Sequence, residues 1–457
     1  MTQDRENSFW RQPRGVYLVA FTEFWERFSY YGLISLLVLF LTGTVAEGGL
    51  GWRREEALQI YGVFAGLAFG LPVAGGWIAD RLTGERAAVL LGGLGILAGN
   101  LALFAMNPSL PDTVARALLF AGLATIALGT GFLKPAISAL VGKVYDTRPE
   151  LPRNTGYMIF LMCIYMGGVT GTLLAGAFGE LVGFRWGFLI SALGMAVGLI
   201  LYVANAPRLL GDVGKRHDAR AALQAATEAA STEVKPKAIP AILLLIAFTT
   251  IYATAFYQKA GVILLMVKSN TDRTVANFEI PASSFLVVST LGFIVLAPVV
   301  EMVMARLAKR GIHIHLFTKQ IAGLLVMAIG YIFFIGAATV SADAPSGLHG
   351  PGWIVAGYLC FSIGDILILP PQLSAISRLS PPRLVGFFIG LWYVTMGIGN
   401  VLAGFFGAYA ESIGLVPFFF LIQGGLVIAA ALLFLILARS PGLTAAVIPD
   451  ANKLRSA

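Results

Sequence analysis

Twelve long apolar runs, with charge confined almost entirely to the gaps between them, leave this chain few ways to fold. A bilayer core takes about 20 mainly apolar residues per helix. Runs of that size occupy 15–42, 57–79, 87–106, 114–142, 154–178, 184–204, 239–267, 281–305, 315–338, 352–377, 384–408 and 413–438. They are too long for membrane strands and lack period-2 alternation. The expected class is an all-α membrane protein with 12 transmembrane helices. Only 12% of the 457 residues are charged and 57% are hydrophobic, where a soluble protein carries about 25% charge. That excludes disordered, collagenous and nucleic-acid-binding classes and argues against a water-soluble enzyme.

The largest interruption, 205–238, is rich in Ala and charge and holds no spanning segment. It divides the helices six and six, the layout of a major-facilitator fold. The expected organisation is an N-terminal segment 1–14, a bundle 15–204, a linker 205–238, a second bundle 239–438 and a tail 439–457. A short surface helix is expected near Ala219–Ala230. Cys163 and Cys360 both lie in apolar runs, so no disulfide framework is expected. The first apolar run carries Glu23, Glu26 and Arg27 and makes a poor signal peptide.

Charge asymmetry orients the chain. Of 32 cationic residues, only Arg53, Arg54, Arg116, Arg185, Lys268 and Arg273 fall in one set of loops. Three more, Arg27, Lys134 and Lys259, fall inside spans. The other 23 share the opposite side with both termini. The positive-inside rule places that side in the cytoplasm, so the excess of eight positive charges is mainly a topology signal. The expected location is the cell membrane of a bacterium.

Six charges lie where lipid disfavours them, at about 3 kcal/mol each on insertion scales. Glu23, Glu26 and Arg27 are spaced i, i+3 and i+4 and share one helix face. A carboxylate beside an arginine can alternate between paired and protonated states, which is the basis of a proton relay. The plainer alternative is that they mark the inner end of a span beginning at Phe28. Lys134 sits in GTGFLKPAIS, where Gly129, Gly131 and Pro135 are expected to loosen or bend the helix. Asp365 lies mid-span in FSIGDILILPP. One charge per half, of opposite sign, suggests a pair facing across a central cavity, with a purely structural buried pair as the alternative. Lys259 stands in the outer third of its span, where a snorkelling side chain is the simplest reading. In GGWIADRLTGER, the residues Asp80, Arg81, Gly84 and Arg86 form a tight charged turn suited to locking adjacent helices in one state. The glycine strings have no preceding strand and read as helix packing, not nucleotide loops. His217, His313, His315 and His349 show no metal-site spacing. No metal, cofactor or nucleophile–base set is expected.

The segment EFWERFSYYG (23–32) resembles the ExxERFxYYG signature of the proton-dependent oligopeptide transporters. The similarity continues through GGWIADR, GTGFLKP, RNTGYMIFLMCIYMGG, IPAS, GDILILPPQLS and RLVGFFIGLWYVTMGIGNVLAG. The resemblance implies symport of di- and tripeptides with protons by alternating access, driven by a proton gradient without a cofactor. It implies proton coupling at Glu23, Glu26 and Arg27, and an inner gate of Lys134 and Asp365 that holds the ends of a zwitterionic peptide. Arg27, Tyr30, Tyr31, Tyr165, Gln258 and Trp392 occupy pocket positions. Expected partners are a short-peptide or small-molecule substrate, protons and the bilayer, with no nucleic acid and with the monomer as the working unit.

Several positions depart from the family pattern. Ile34 stands where an arginine is usual and Gln258 where its glutamate partner is usual, so both members of an outer salt bridge are missing together. One alone would leave a buried charge unpaired. Tyr165, Leu286, Ser289, Leu369 and Ala136 replace other polar positions, and no extra helix pair fits the linker. A non-peptide solute, siderophore-like or a modified amino acid, is therefore the alternative substrate. A membrane sensor or scaffold is the alternative class.

Overall fold

The computed structural model describes residues 12–106, 110–147, 151, 153–215, 238–312, 314–381 and 384–440. The expected surface helix near Ala219–Ala230 and most of the 205–238 linker lie outside them.

Twelve helices long and apolar enough to span a membrane account for the apolar runs one for one. They are α1 (Arg14–Thr42), α2 (Arg54–Thr83), α3 (Glu85–Ala105), α4 (Asp112–Asp146), α5 (Arg153–Val182), α6 (Phe184–Leu209), α7 (Ile239–Asn270), α8 (Ala282–Lys309), α9 (Leu316–Asp343), α10 (Gly352–Leu379), α11 (Val385–Ile413) and α12 (Leu415–Arg439). They form two compact units. One holds α1–α6 and Pro281–Val287, and the other holds α7, α9–α12 and the rest of α8.

In the first unit α5 and α6 pack along α1, α3 and α2 pack on α4, and α3 reaches α6. In the second, α9 packs on α10 and α12, and α7 on α10, α11 and α12. Burial sorts the helices by role. In the most apolar window of α1, 83% of residues are buried, against 22% in α8 and α12. Helix α1 is therefore enclosed by protein, which is what its charged face demands, while α8 and α12 present apolar side chains to lipid.

Small backbone departures sit at particular sequences. Gly84, at φ 76°, turns the chain directly from α2 into α3, a conformation that side-chain-bearing residues rarely adopt. Helix α4 is α-helical from Asp112 to Asp146, with Gly129, Gly131 and Pro135 inside it and no break at the glycines. Those glycines serve close approach instead: a Cβ on Gly75 or Gly92 would collide with the carbonyls of Gly131 and Gly129. The irregular turns fall elsewhere, as π-turns at Ala79–Thr83 and Thr172–Ala177 and a 3-10 turn at Tyr257–Ala260 in α7.

Between α7 and α8 lies a hairpin of β1 (Thr274–Val275) and β2 (Phe278–Glu279), antiparallel with Thr274 opposite Glu279. Ala276 and Asn277 form its two-residue turn at φ 49° and 62°, the geometry that matches strand twist. Nearby, His349 is buried; its backbone N–H donates to the Asn270 carbonyl at 2.8 Å and its ring meets the Thr271 hydroxyl at 3.2 Å. Burial holds its imidazole below the usual histidine range.

Candidate functional site

The charged face of α1 is the centre of the first unit. Glu23, Glu26 and Arg27 are 1%, 0% and 3% exposed, so the alternative that they mark a solvated helix end does not hold. The i, i+4 spacing brings the Arg27 Nε to 3.3 Å from a Glu23 oxygen, and the same Nε donates to Glu26. The guanidinium also lies over the Tyr30 ring, 5.1 Å from its centroid. Tyr30 in turn stacks on Phe64 of α2. One nitrogen thus serves two carboxylates. Glu23 Oε2, Glu26 Oε1 and Arg27 Nη2 are buried without a hydrogen-bond partner among the described residues. A fully satisfied structural ion cluster would not leave three such atoms.

Lys134 joins this cluster from α4. It is half-buried, within electrostatic reach of Glu23, Glu26 and Arg27, with its ammonium 4.9 Å from the Phe69 ring centroid. Tyr31 and Tyr165 are also half-buried. Ile34, one turn beyond Tyr30, is buried among apolar side chains.

The helix 2–3 turn is tied down within the same unit. Arg86 donates from Nη1 to the Gly211 carbonyl at 2.6 Å and from its backbone N–H to Gly214 at 3.1 Å. Arg81 lies over the Trp77 ring at 4.9 Å. The Asp80 side chain lies outside the described atoms. Sequence reasoning missed the neighbouring pair, in which Lys143 meets buried Glu85 at 2.6 Å. Also missed was Glu180 of α5. Its carboxylate accepts the backbone N–H groups of Ala282 and Ser283 at 3.0 and 2.7 Å, holding the first turn of α8 in the first unit. A carboxylate at a helix N-terminus is favourable for the unpaired N–H groups and the dipole there.

The second unit is organised around neutral polar groups. The Gln372 carbonyl accepts from the Thr249 hydroxyl at 2.8 Å and from Trp392 Nε1 at 3.0 Å. Its amide donates to Gln320 at 2.7 Å, and Gln320 donates to the Ile368 carbonyl. Trp392 was expected as a pocket residue; the other three were not seen, because each comes from a different helix. Asp365 is half-buried and accepts from Tyr252 at 2.6 Å. Gln258 is buried and donates to the Ala403 carbonyl at 2.9 Å, joining α7 to α11. Lys259, in the same 3-10 turn, lies over the Phe256 ring at 3.9 Å and reaches Ser289 at 3.5 Å. Lys134 thus belongs to the first unit and Asp365 to the second.

Comparison with known proteins places these features in a family. The model of the POT family matches residues 86–209 and 213–414. The peptide transporter YePEPT of Yersinia enterocolitica subsp. palearctica serotype O:3 (strain YE-P4) is 30% identical, over 94% of this chain and 95% of that relative. The dipeptide and tripeptide permease B of Edwardsiella piscicida is 26% identical over 87% of each chain. A crystal structure of a mutant peptide transporter POT in complex with alafosfalin matches with a TM-score of 0.83 at 27% identity. That match covers 97% of this chain and 98% of the other.

Proposed function

The chain belongs to the POT family of secondary transporters, and from that premise we propose that it is a proton-coupled symporter. It imports di- or tripeptides, or peptide-like zwitterions, by alternating access. It is a multi-pass bacterial membrane protein of the twelve-helix major-facilitator fold and not an enzyme. The similarity to a peptide transporter and to a dipeptide and tripeptide permease supports the substrate class.

The observation that carries the reading is the enclosed Glu23–Glu26–Arg27 cluster with Lys134 in electrostatic reach. A proton arriving at either glutamate neutralises it and weakens its hold on Arg27. The guanidinium, released from one carboxylate, can then take the carboxylate of a substrate in a bidentate contact. Departure of the proton restores the ion pair and ejects the substrate carboxylate. Proton and substrate thus travel together because both act on Arg27. Lys134 adds a second positive pole for the carboxylate, and Asp365 supplies a negative pole for the amine. The termini face the cytoplasm in this reading, as the charge asymmetry requires.

The test is uptake of dialanine into proteoliposomes of the purified protein under an inward proton gradient. Accumulation that collapses with the gradient and is abolished in Glu23→Gln and Glu26→Gln is the expected outcome. Undiminished gradient-driven uptake in both variants overturns the mechanism. No dipeptide uptake by the wild type overturns the substrate class. A second reading, a non-peptide solute, is favoured by the use of Gln258 in a backbone contact and by Leu286 and Ser289 where polar amides are usual. Stabilisation by another chemical class in a thermal-shift screen, with dipeptides inert, decides for it.

A further inference from the structure

We infer that the first unit binds the headgroup of an acidic phospholipid in a cavity between the start of α1 and the ends of α4 and α6, with the acyl chains along the exposed faces of α1 and α6. The site lies wholly within one unit, and the inference is independent of what the protein transports.

A cavity of about 700 Å³ opens where the start of α1 meets the ends of α4 and α6. That volume falls in the range of about 300–1,000 Å³ typical of small-molecule sites. Arg14 lines it from the first residue of α1 and Arg208 from the last turn of α6, and Val144, Thr147, Leu210 and Val213 also face it. Both arginines are exposed, and among the described residues neither is in an ion pair. The carboxylate in the lining, Asp212, is met by Lys215 at 2.7 Å. Two uncommitted guanidinium groups therefore share one cavity, each a planar fork suited to phosphate oxygens. The positive end of the α1 dipole opens on the same space.

The approach to the cavity is apolar. A Cβ on Gly15 would meet Leu210 at 3.0 Å, one on Gly198 would meet Trp25 at 2.7 Å, and one on Gly194 would meet Phe28 at 2.4 Å. These contacts run in opposite order along the two helices, so α1 and α6 lie antiparallel and close together as far as the cavity. On α6, Leu193, Val197, Ile200, Ala204 and Arg208 follow at steps of three and four residues and share one exposed face. On α1, Arg14, Tyr17 and Phe21 are spaced likewise, with Tyr17 half-buried and Phe21 exposed. Each arginine is thus the polar end of an apolar track that faces lipid.

That combination selects a phospholipid over a soluble phosphate, which makes no use of the tracks. It also selects an acidic headgroup. In a zwitterionic lipid the phosphate carries its own cation, which two arginines repel. Basic pockets between membrane helices hold acidic headgroups for this reason.

The experiment titrates the delipidated full chain in detergent with phosphatidylglycerol or phosphatidylcholine of identical acyl chains, and reads bound lipid by native mass spectrometry. The first phosphatidylglycerol is expected to bind at least about tenfold more tightly than phosphatidylcholine. The double variant R14Q/R208Q brings that ratio to near one, whereas R116Q, an arginine outside the cavity, leaves it unchanged. If the double variant does not fold, R14Q and R208Q singly carry the comparison, each lowering the ratio severalfold. Soluble glycerophosphoglycerol displaces no lipid at equal concentration. Displacement at equal concentration shows a free-phosphate site and overturns the lipid assignment. A wild type without acidic preference, a preference that survives R14Q/R208Q or both single variants, or an equal loss in R116Q overturns the site. All of these are binding measurements, so the transport reading stands or falls separately by uptake.

Discussion

The two units hold buried polar groups in opposite ways. In the first, three charges sit within five consecutive residues of α1 and one guanidinium is shared between two carboxylates. In the second, a neutral network links Thr249, Gln320, Gln372 and Trp392 from four helices, with the Gln372 carbonyl taking donors from two of them. A shared ion is easily redistributed by a proton or a ligand. A network of neutral groups carries no charge for a proton or a ligand to redistribute. The contrast fits the proposed mechanism, in which the first unit switches and the second supports, with Lys259 and Asp365 as the charged exceptions in the latter.

The largest expected effect comes from Arg27→Ala. It leaves two buried carboxylates uncompensated, at about 3–5 kcal/mol for a broken buried pair. Uptake should vanish and the melting temperature in detergent should fall. Arg27→Lys should restore stability better than transport, since a lysine lacks the bidentate fork. Equal recovery of both would erase the switching role.

Next is Gln372→Ala, which strips Trp392 and Gln320 of partners at about 1–3 kcal/mol per orphaned group. The melting temperature should fall while the pH dependence of residual uptake stays where it was. A shifted pH profile would show that the neutral network takes part in proton coupling and would break the comparison.

Glu180→Ala removes two charge-assisted contacts to the start of α8, worth about 1.5–3 kcal/mol together. Hydrogen exchange at Ala282 and Ser283 should rise locally, with Glu180→Gln intermediate. Unchanged exchange would deny that this carboxylate holds the segment.

The smallest effect is at His349. Its imidazole is held below its ordinary value by burial, so the unfolded chain binds the proton more readily. Stability should be fully present above about pH 6.5 and decline as the pH falls below it. Melting curves between pH 7.5 and about pH 5 should flatten in His349→Gln relative to the wild type. Parallel curves would place the acid sensitivity elsewhere.

The legible part of the site was the part written locally. Glu23, Glu26 and Arg27 meet because helical spacing alone puts them on one face, and their unsuitability for lipid drew attention to them. Lys134, Lys259 and Asp365 were visible for the same reason, as charges in apolar runs. Gln372, Gln320 and Thr249 carried no such signal. An amide or hydroxyl in a membrane helix is inexpensive enough to be common, and its partner lies 52 or 123 residues away in sequence. Glu180 was obscured by its place at a helix end, where a charge is ordinary. The irregular turns were likewise misplaced. Gly129, Gly131 and Pro135 drew attention to α4, where the glycines admit the close approach of α2 and α3, and the π-turns and 3-10 turn fall in α2, α5 and α7 instead.

Sequence by itself determined the helix count, the span boundaries to within a few residues, and the presence of six ionisable groups inside the spans. All of these follow from the energy of placing single residues in lipid, a property of composition and local spacing. Tertiary structure decided what each charge touches. It enclosed α1 so that its glutamates share one arginine, gave Gln258 a backbone carbonyl, and brought Lys259 to Ser289. Those outcomes depend on which helix faces meet, and a long-range contact is fixed only by packing among all of them together.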